Sequence, residues 1–251
     1  MIIYGINPVL EALRAGRAQR LKVGARADRR IDEAIALART RGVAVERVEP
    51  AALERIARGG AHQGIAADVE APRDYAIGDL VAAAAPAAPL IVVLDGIEDP
   101  HNVGAILRSV DAAGAHGVVR QERHAAALDG VVAKASAGAL ASVRIATVVN
   151  IARAVEELTD AGVWTIGLAA DSPDRYDEID LTLPTAIVLG AEGSGLRRLV
   201  RDRCDRLASI PMGGSVDSLN VSVAAGVMLF EAVRQRRRVA ESPSKAPDAS
   251  H

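Results

Sequence analysis

Aromatic residues make up only 2% of this 251-residue chain, so any nucleic-acid partner would find few rings on which to stack its bases. A single cysteine, Cys204, excludes an intrachain disulfide and a cysteine zinc cluster, and it fits a reducing compartment. No metal site is expected. The longest apolar run, Val81 to Leu94, is interrupted by Pro86 and Pro89 and is too short to cross a bilayer. The first residues lack a basic stretch followed by an apolar core, so no signal peptide is expected. Together these absences predict a soluble, cytoplasmic protein with no membrane partner.

What is present is aliphatic. Half of the residues are hydrophobic and alanine is abundant, a composition suited to a packed α/β protein. The length allows two modest domains or one large one. The net charge of −2 would argue against a nucleic-acid partner if charge were evenly spread, and it is not. Residues 1–72 hold twelve Lys+Arg against nine Asp+Glu, a balance of +3, which leaves −5 for residues 73–251. Seven basic residues (Arg14, Arg17, Arg20, Lys22, Arg26, Arg29 and Arg30) fall between positions 14 and 30, with one acid, Asp28. Such a cluster can bind phosphates, or it can be no more than a solvated helix end and loop.

The periodicity alternates strand and helix. Strands are expected at Ile2 to Tyr4, Leu21 to Gly24, Val43 to Val48 and Ile65 to Val69. Helices are expected from Pro8 (with Asn7 as N-cap), from Ile31 to Arg41 and from Pro50 to Arg58. This closes a small α/β domain over residues 1–72. Residues 73–89, bracketed by prolines and rich in alanine, read as a linker with one helix at Ile77 to Ala84. A second domain over residues 90–239 opens with Leu90 to Leu94, a continuous aliphatic run typical of a parallel strand covered on both faces. Strands at Gly117–Val119, Ile145–Val148, Val163–Leu168, Ala186–Leu189 and Leu207–Ile210 follow, giving six parallel strands. The arginines Arg234, Arg236, Arg237 and Arg238 suit the negative end of a last helix, and residues 240–251 read as a disordered tail.

Three stretches carry polar or glycine residues where an open α/β sheet places its ligands. The first is Asp95-Gly-Ile-Glu-Asp-Pro-His-Asn-Val-Gly-Ala-Ile-Leu-Arg108. Arg108 stands among apolar neighbours there, so a definite anionic partner is expected for it, either an internal carboxylate or a substrate phosphate. The second is Ile187-Val-Leu-Gly-Ala-Glu-Gly-Ser-Gly-Leu196, whose glycines let a ligand approach the backbone. Its glycine pattern differs from a dinucleotide fingerprint, which makes a nicotinamide-dependent oxidoreductase a weak alternative. The third runs from Ile210 to Phe230. There a strand ends at Pro211 and a polar loop leads into an apolar helix from Leu219, with Asp217 or Ser218 as its cap.

In combination, Asp99-Pro-x-Asn102-x-Gly-Ala-x-x-Arg108, Gly190-Ala-Glu-Gly-x-Gly-Leu196 and Ile210-Pro-Met-x-Gly-x-x-x-Ser-Leu-Asn-Val-Ser222 resemble the three motifs of the SpoU (TrmH-type) branch of the SPOUT RNA 2′-O-ribose methyltransferases. Order and spacing match across residues 90–237. The leading domain, with Tyr4-Gly-x-Asn-Pro-Val and His62-Gln-Gly-Ile, resembles the L30e-like RNA substrate-binding domain of that branch.

The resemblance implies a SPOUT α/β domain with a C-terminal trefoil knot, a topology that nothing in the periodicity shows. It implies S-adenosyl-L-methionine as cofactor, bound by Gly190, Ile210 and Leu219 with Gly195 and Met212 as neighbours. Arg108 corresponds to the proposed catalytic residue, surrounded by Asn102, Glu192, Ser218 and Asn220. Glu192 could equally serve only to hold its own glycine loop, and Ser218 and Asn220 could be helix-start residues. A homodimer is implied, with the apolar helix Val221 to Phe230 at its face. The subgroup resembled most methylates a guanosine ribose in the peptidyl-transferase-centre loop of 23S rRNA. A tRNA ribose methyltransferase and a non-catalytic RNA-binding or ribosome-assembly factor are the alternatives. Loss of Arg108, Asn102 or Asn220 would mark the latter, and all three are present.

Overall fold

Two β-sheets organise the chain in the computed structural model, which describes residues 1–25, 28–57, 59–70 and 73–241. Arg26 of the basic cluster, Arg58 at the expected end of the third helix, and the 71–72 junction lie outside the described residues. Of the expected tail, Ala240 and Glu241 continue the last helix, and the remainder also lies outside the described residues.

The first sheet contains β1 (Ile2–Tyr4), β2 (Ala18–Val23), β3 (Ala44–Arg47) and β4 (Ile65–Val69), in the order β1-β4-β2-β3. The central strand β4 is antiparallel to both neighbours, whereas β2 and β3 run parallel. Three helices connect them: α1 (Ile6–Arg14), α2 (Arg29–Thr40) and α3 (Pro50–Ala57). Helix α1 starts earlier than its sequence suggests. Gly5, at φ 93°, is the N-cap, and the Ile6 amide donates to Gln63 Oε1 at 3.0 Å. Asn7 therefore lies inside the helix, where its Oδ1 accepts from Arg30 Nη2. A distant amide supplies the cap, which a local reading could not detect.

Residues 73–89 fold onto the second sheet. Helix α4 (Ile77–Ala82) buries Ile77 and Leu80, and Asp74 accepts from the Thr147 amide at 2.9 Å. The second sheet comprises β5 (Leu90–Asp95), β6 (Gly117–Gln121), β7 (Ile145–Val148), β8 (Trp164–Leu168), β9 (Thr185–Gly190) and β10 (Arg206–Ala208). Their order is β10-β8-β9-β5-β6-β7 and every pairing is parallel. All six residues of β5 are buried, as a continuous aliphatic strand covered on both faces requires. Its helices are α5 (Pro100–Ala112), α6 (Gly130–Ala135), α7 (Ile151–Asp160), α8 (Arg198–Arg203) and α9 (Val221–Glu241).

A shared hydrophobic core joins the two sheets, running from Ile3, Leu10 and Leu13 to Leu94, Val103 and Val132. The Tyr4 ring fills the junction so closely that a Cβ at Gly130 would lie 2.4 Å from it. Only glycine fits there.

From edge strand β10 the chain returns through residues 209–220, and α9 then packs on α5 and β9. Arg236 fixes that helix by donating to four carbonyls, those of Leu181, Ala88, Pro89 and Leu183, at 2.7 to 2.9 Å. Arg234 instead pairs with Glu231 on its own helix. These arginines act through specific partners more than through the helix dipole.

Candidate functional site

The parallel strands end at one edge of the sheet, and their C-terminal loops form the site. Asp95 closes β5 and is only 1% exposed. A buried carboxylate needs strong donors, and Arg197 supplies two, from its backbone amide at 2.8 Å and from Nε at 2.6 Å. The same guanidinium donates to Gln121 Oε1 at 2.7 Å, and Gln121 in turn donates to the His124 carbonyl at 2.6 Å. The loops after β5, β6 and β9 are thus tied at one point. Sequence reasoning passed over Asp95 as a functional position. The signal was an acid ending an otherwise wholly aliphatic strand.

Beyond β9 the chain turns back on itself. Ala191 and Gly195 exchange backbone hydrogen bonds at 3.1 and 2.9 Å. A Cβ at Gly190 would lie 2.1 Å from the Gly195 carbonyl carbon, so this turn closes only with glycine at 190. Its outer side borders a cavity of about 400 Å³. Gly190, Gly195, Ile210, Met212 and Leu219 all line this cavity, and so do Glu192 and Ser218. Its walls include Leu168, Leu189 and Val221, and at the far side lie Asp171 and Arg201. Those two form a two-point ion pair at 2.8 and 3.0 Å, and the Arg201 hydrogen bonds hold the Asp171 carboxyl below its usual range.

Three residues from three distant stretches meet at the rim. Asn102 Nδ2 donates to Glu192 Oε2 at 3.2 Å, and Asn220 Nδ2 donates to Asn102 Oδ1 at 2.9 Å. Asn220 Oδ1 then accepts from the Ser222 amide at 2.9 Å and the Ser222 hydroxyl at 2.6 Å. Asn220, not Asp217 or Ser218, therefore caps α9, because the chain becomes helical only at Val221. Asp99 caps α5 by accepting from the amides of His101 and Asn102 at 3.1 and 3.2 Å, which fixes where Asn102 points.

Arg108 stands apart from this group. It lies on the exposed face of α5, while Ile106, Leu107 and Val110 turn inward. It makes no ion pair or hydrogen bond among the described residues, contrary to the internal-carboxylate expectation. Its apolar sequence neighbours belong to the other faces of the helix, as a period of 3.6 dictates.

His62 and two serines of the second domain, Ser136 and Ser142, have structural partners. His62 Nδ1 accepts from the Gly64 amide at 3.0 Å and its Nε2 faces Glu54 at 3.2 Å. Ser136 is buried, and Ser142 donates to Asp111 at 2.6 Å. Three residues of the basic cluster are paired with acids: Arg14 with Glu11 and Glu33, Arg20 with Glu46, and Lys22 with Asp68. Burial pushes the Cys204 thiol up to about 12, which excludes it as a nucleophile at neutral pH.

A cavity of this size, with aliphatic walls, glycine backbone and a few charged groups at its rim, suits a nucleoside carrying a charged tail. Turned toward the Asn102–Glu192–Asn220 chain, such a ligand would face groups able to orient a hydroxyl. Such an arrangement fits an enzyme that transfers a group from a nucleoside cofactor to a hydroxyl. Comparison with known proteins specifies the family. Residues 89–230 match the SpoU rRNA methylase family, and residues 2–75 match the RNA 2′-O ribose methyltransferase substrate-binding family. An "uncharacterized tRNA/rRNA methyltransferase" of Mycolicibacterium gilvum is 47% identical over 244 residues, covering 94% of this chain and 77% of the relative.

Among solved structures, the SpoU methyltransferase AviRb from Streptomyces viridochromogenes in complex with AdoMet is 31% identical with a TM-score of 0.79, over 95% of this chain and 91% of that one. An AdoMet-bound rRNA methyltransferase from Sinorhizobium meliloti is 28% identical with a TM-score of 0.76, over 93% and 86%. The A. aeolicus TrmH/SpoU tRNA modifying enzyme is 29% identical with a TM-score of 0.57, over 68% and 88%. The chain belongs to the SpoU methylase family. It is an S-adenosylmethionine-dependent RNA methyltransferase.

Proposed function

We propose that this enzyme methylates the 2′-hydroxyl of a ribose, that of a guanosine in the peptidyl-transferase-centre loop of 23S rRNA, in the cytoplasm. The observation that carries the ribose reading is the Glu192–Asn102–Asn220 chain at the rim of the cavity. S-adenosylmethionine supplies an activated methyl group, so the protein has mainly to align the acceptor oxygen and assist loss of its proton. In this reading Gly190, Gly195, Ile210, Met212 and Leu219 hold the cofactor, while Asn102, Glu192, Ser218 and Asn220 orient the ribose. Arg108, exposed and without a partner among the described residues, grips a target phosphate and stabilises the developing alkoxide. A guanidinium that stays protonated is a poor base but a good fork for phosphate.

The leading domain, residues 1–72, is read as the RNA-binding part and residues 90–239 as the catalytic part. The return of the chain from edge strand β10 to α5 and β9 supports the trefoil knot. Helix α9 leaves Val223 and Phe230 51% and 50% exposed, seven residues apart on one face, which supports a homodimer.

An rRNA substrate is favoured over tRNA because the rRNA methyltransferase structure aligns with nearly the whole chain. The tRNA-modifying structure aligns with about two thirds of it. Mapping 2′-O-methyl sites in 23S rRNA and tRNA from a deletion strain, with and without complementation, tests this. A missing guanosine methylation in 23S rRNA that the gene restores is expected; a restored tRNA site would replace the reading.

A further inference from the structure

The cavity beside the Gly190 turn contains one cation among its described lining residues, Arg201. Arg201 comes from α8, and its partner Asp171 comes from the loop after β8, on the side of the cavity away from Asn102. The pair is solvent-accessible, with side-chain exposures of 36% and 69%, so neither group is locked away. Helix α8 does not need the pair to hold its place, since Val200 is buried in the neighbouring core and Arg201 itself faces the cavity.

S-adenosylmethionine has three chemically different parts to place. Its methyl must face the acceptor and therefore the Asn102–Glu192–Asn220 end. Its adenosine suits the aliphatic walls formed by Leu168, Leu189, Ile210 and Leu219. The aminoacyl group carries one carboxylate and one ammonium close together. A carboxylate bound by a guanidinium gains two parallel charge-assisted bonds, which an amide or hydroxyl cannot offer. Asp171 beside Arg201 presents the complementary negative charge to the ammonium. Glu192 and Asp217, the other acidic lining residues, offer a carboxylate no donor.

We propose that the Asp171–Arg201 pair is the receptor for the aminoacyl end of the cofactor, Arg201 taking the carboxylate and Asp171 the ammonium. This rests on the reading of the cavity as the cofactor site. When no cofactor is bound, the two side chains satisfy each other, so binding exchanges one ion pair for two. The pair then selects a cofactor with an intact amino-acid tail over truncated adenosyl thioethers.

The test is calorimetry on the full chain with two ligands. S-adenosylhomocysteine keeps the tail, whereas 5′-methylthioadenosine keeps the nucleoside and thioether but lacks the tail. Arg201→Ala should weaken S-adenosylhomocysteine on the order of tenfold or more, and leave 5′-methylthioadenosine within about twofold. Arg201→Lys should recover part of the loss, and Asp171→Asn should show the same selectivity with a smaller effect. Unchanged retention of 5′-methylthioadenosine also shows that the variant is folded. Parallel loss of both ligands, or no loss of either, overturns the proposal. If the unaltered protein binds both ligands and Arg201→Ala is silent, only this assignment fails. If Gly190→Val leaves both affinities intact, the cavity itself has been misread.

Discussion

Asn220 donates its side-chain amide to the Asn102 side-chain oxygen at 2.9 Å, across 118 positions of sequence. The same Asn220 caps α9 through its other atom, Oδ1. One side chain thus starts the last helix and completes the polar chain at the cavity rim. The two duties can be separated. Asn220→Asp keeps an acceptor for the Ser222 amide but loses the donor to Asn102, so methyl transfer should fall at least tenfold with little change in melting temperature. Asn220→Ala should lose both, with a stability loss of about 1 kcal/mol from the missing cap. Equal melting temperatures for the two variants would refute the capping role.

Arg108 has no hydrogen-bond or ion-pair partner among the described residues, so its removal should be structurally silent. Arg108→Ala is expected to abolish turnover while leaving cofactor affinity and thermal stability close to those of the unaltered protein. Arg108→Lys should also be poor, because an ammonium cannot reproduce a two-point fork. Single-turnover rates beside calorimetry decide the matter, and a rate within a few-fold of normal would remove Arg108 from the site.

Arg197 is the opposite case. Its replacement by alanine takes the guanidinium from the buried Asp95 carboxylate, leaving it the backbone amide of residue 197, and cuts the side-chain tie from the loop after β9 to Gln121. Breaking a pair of this kind costs about 3 kcal/mol. Urea unfolding of Arg197→Ala should show a loss of that order, with weakened cofactor binding. A shift under about 0.5 kcal/mol would mean that the pair is dispensable.

Cys204 gives a pH signature. Its thiol ionises near 9.0 when unfolded, but burial, with Asp205 and Asp95 adding to it, moves the folded value to about 12. Between those values the folded state holds the extra proton, so stability falls as pH rises through that window. Cys204→Ser should flatten the fall. In the native state the thiol should react slowly with disulfide reagents at pH 8, and quickly in urea.

Strands β5 and β9 were legible because each is a nearly unbroken aliphatic run, and burial on both faces leaves such a run no other role. The strands of the first sheet were readable for the same reason of period. Caps were less so. Gln63 reaches α1 from a loop 57 residues away, and no local pattern encodes that contact. Asn220 displaced Asp217 and Ser218 because the loop after Pro211 stays irregular for longer than its cap-forming residues suggest. The exposure of Arg108 follows from helical phase, which its apolar sequence neighbours obscured. Asp95 went unread because one acid after five aliphatic residues looks like a strand end until Arg197, 102 positions away, is seen to meet it.

The order of synthesis gives the last helix a further significance. Arg236 gathers carbonyls from the segments entering β5 and β9, and Asn220 stands just before the same helix. Neither contact can exist until Asn220 and α9 have left the ribosome. A nascent chain that stops short of Asn220 has Asn102 and Glu192 but not the third member of the polar chain, and one that stops short of Arg236 leaves the entry to β5 unclamped. The polar chain at the rim is therefore completed only when this last segment arrives, so, on the proposed role of that chain, products of translation interrupted before Asn220 should be inert toward RNA.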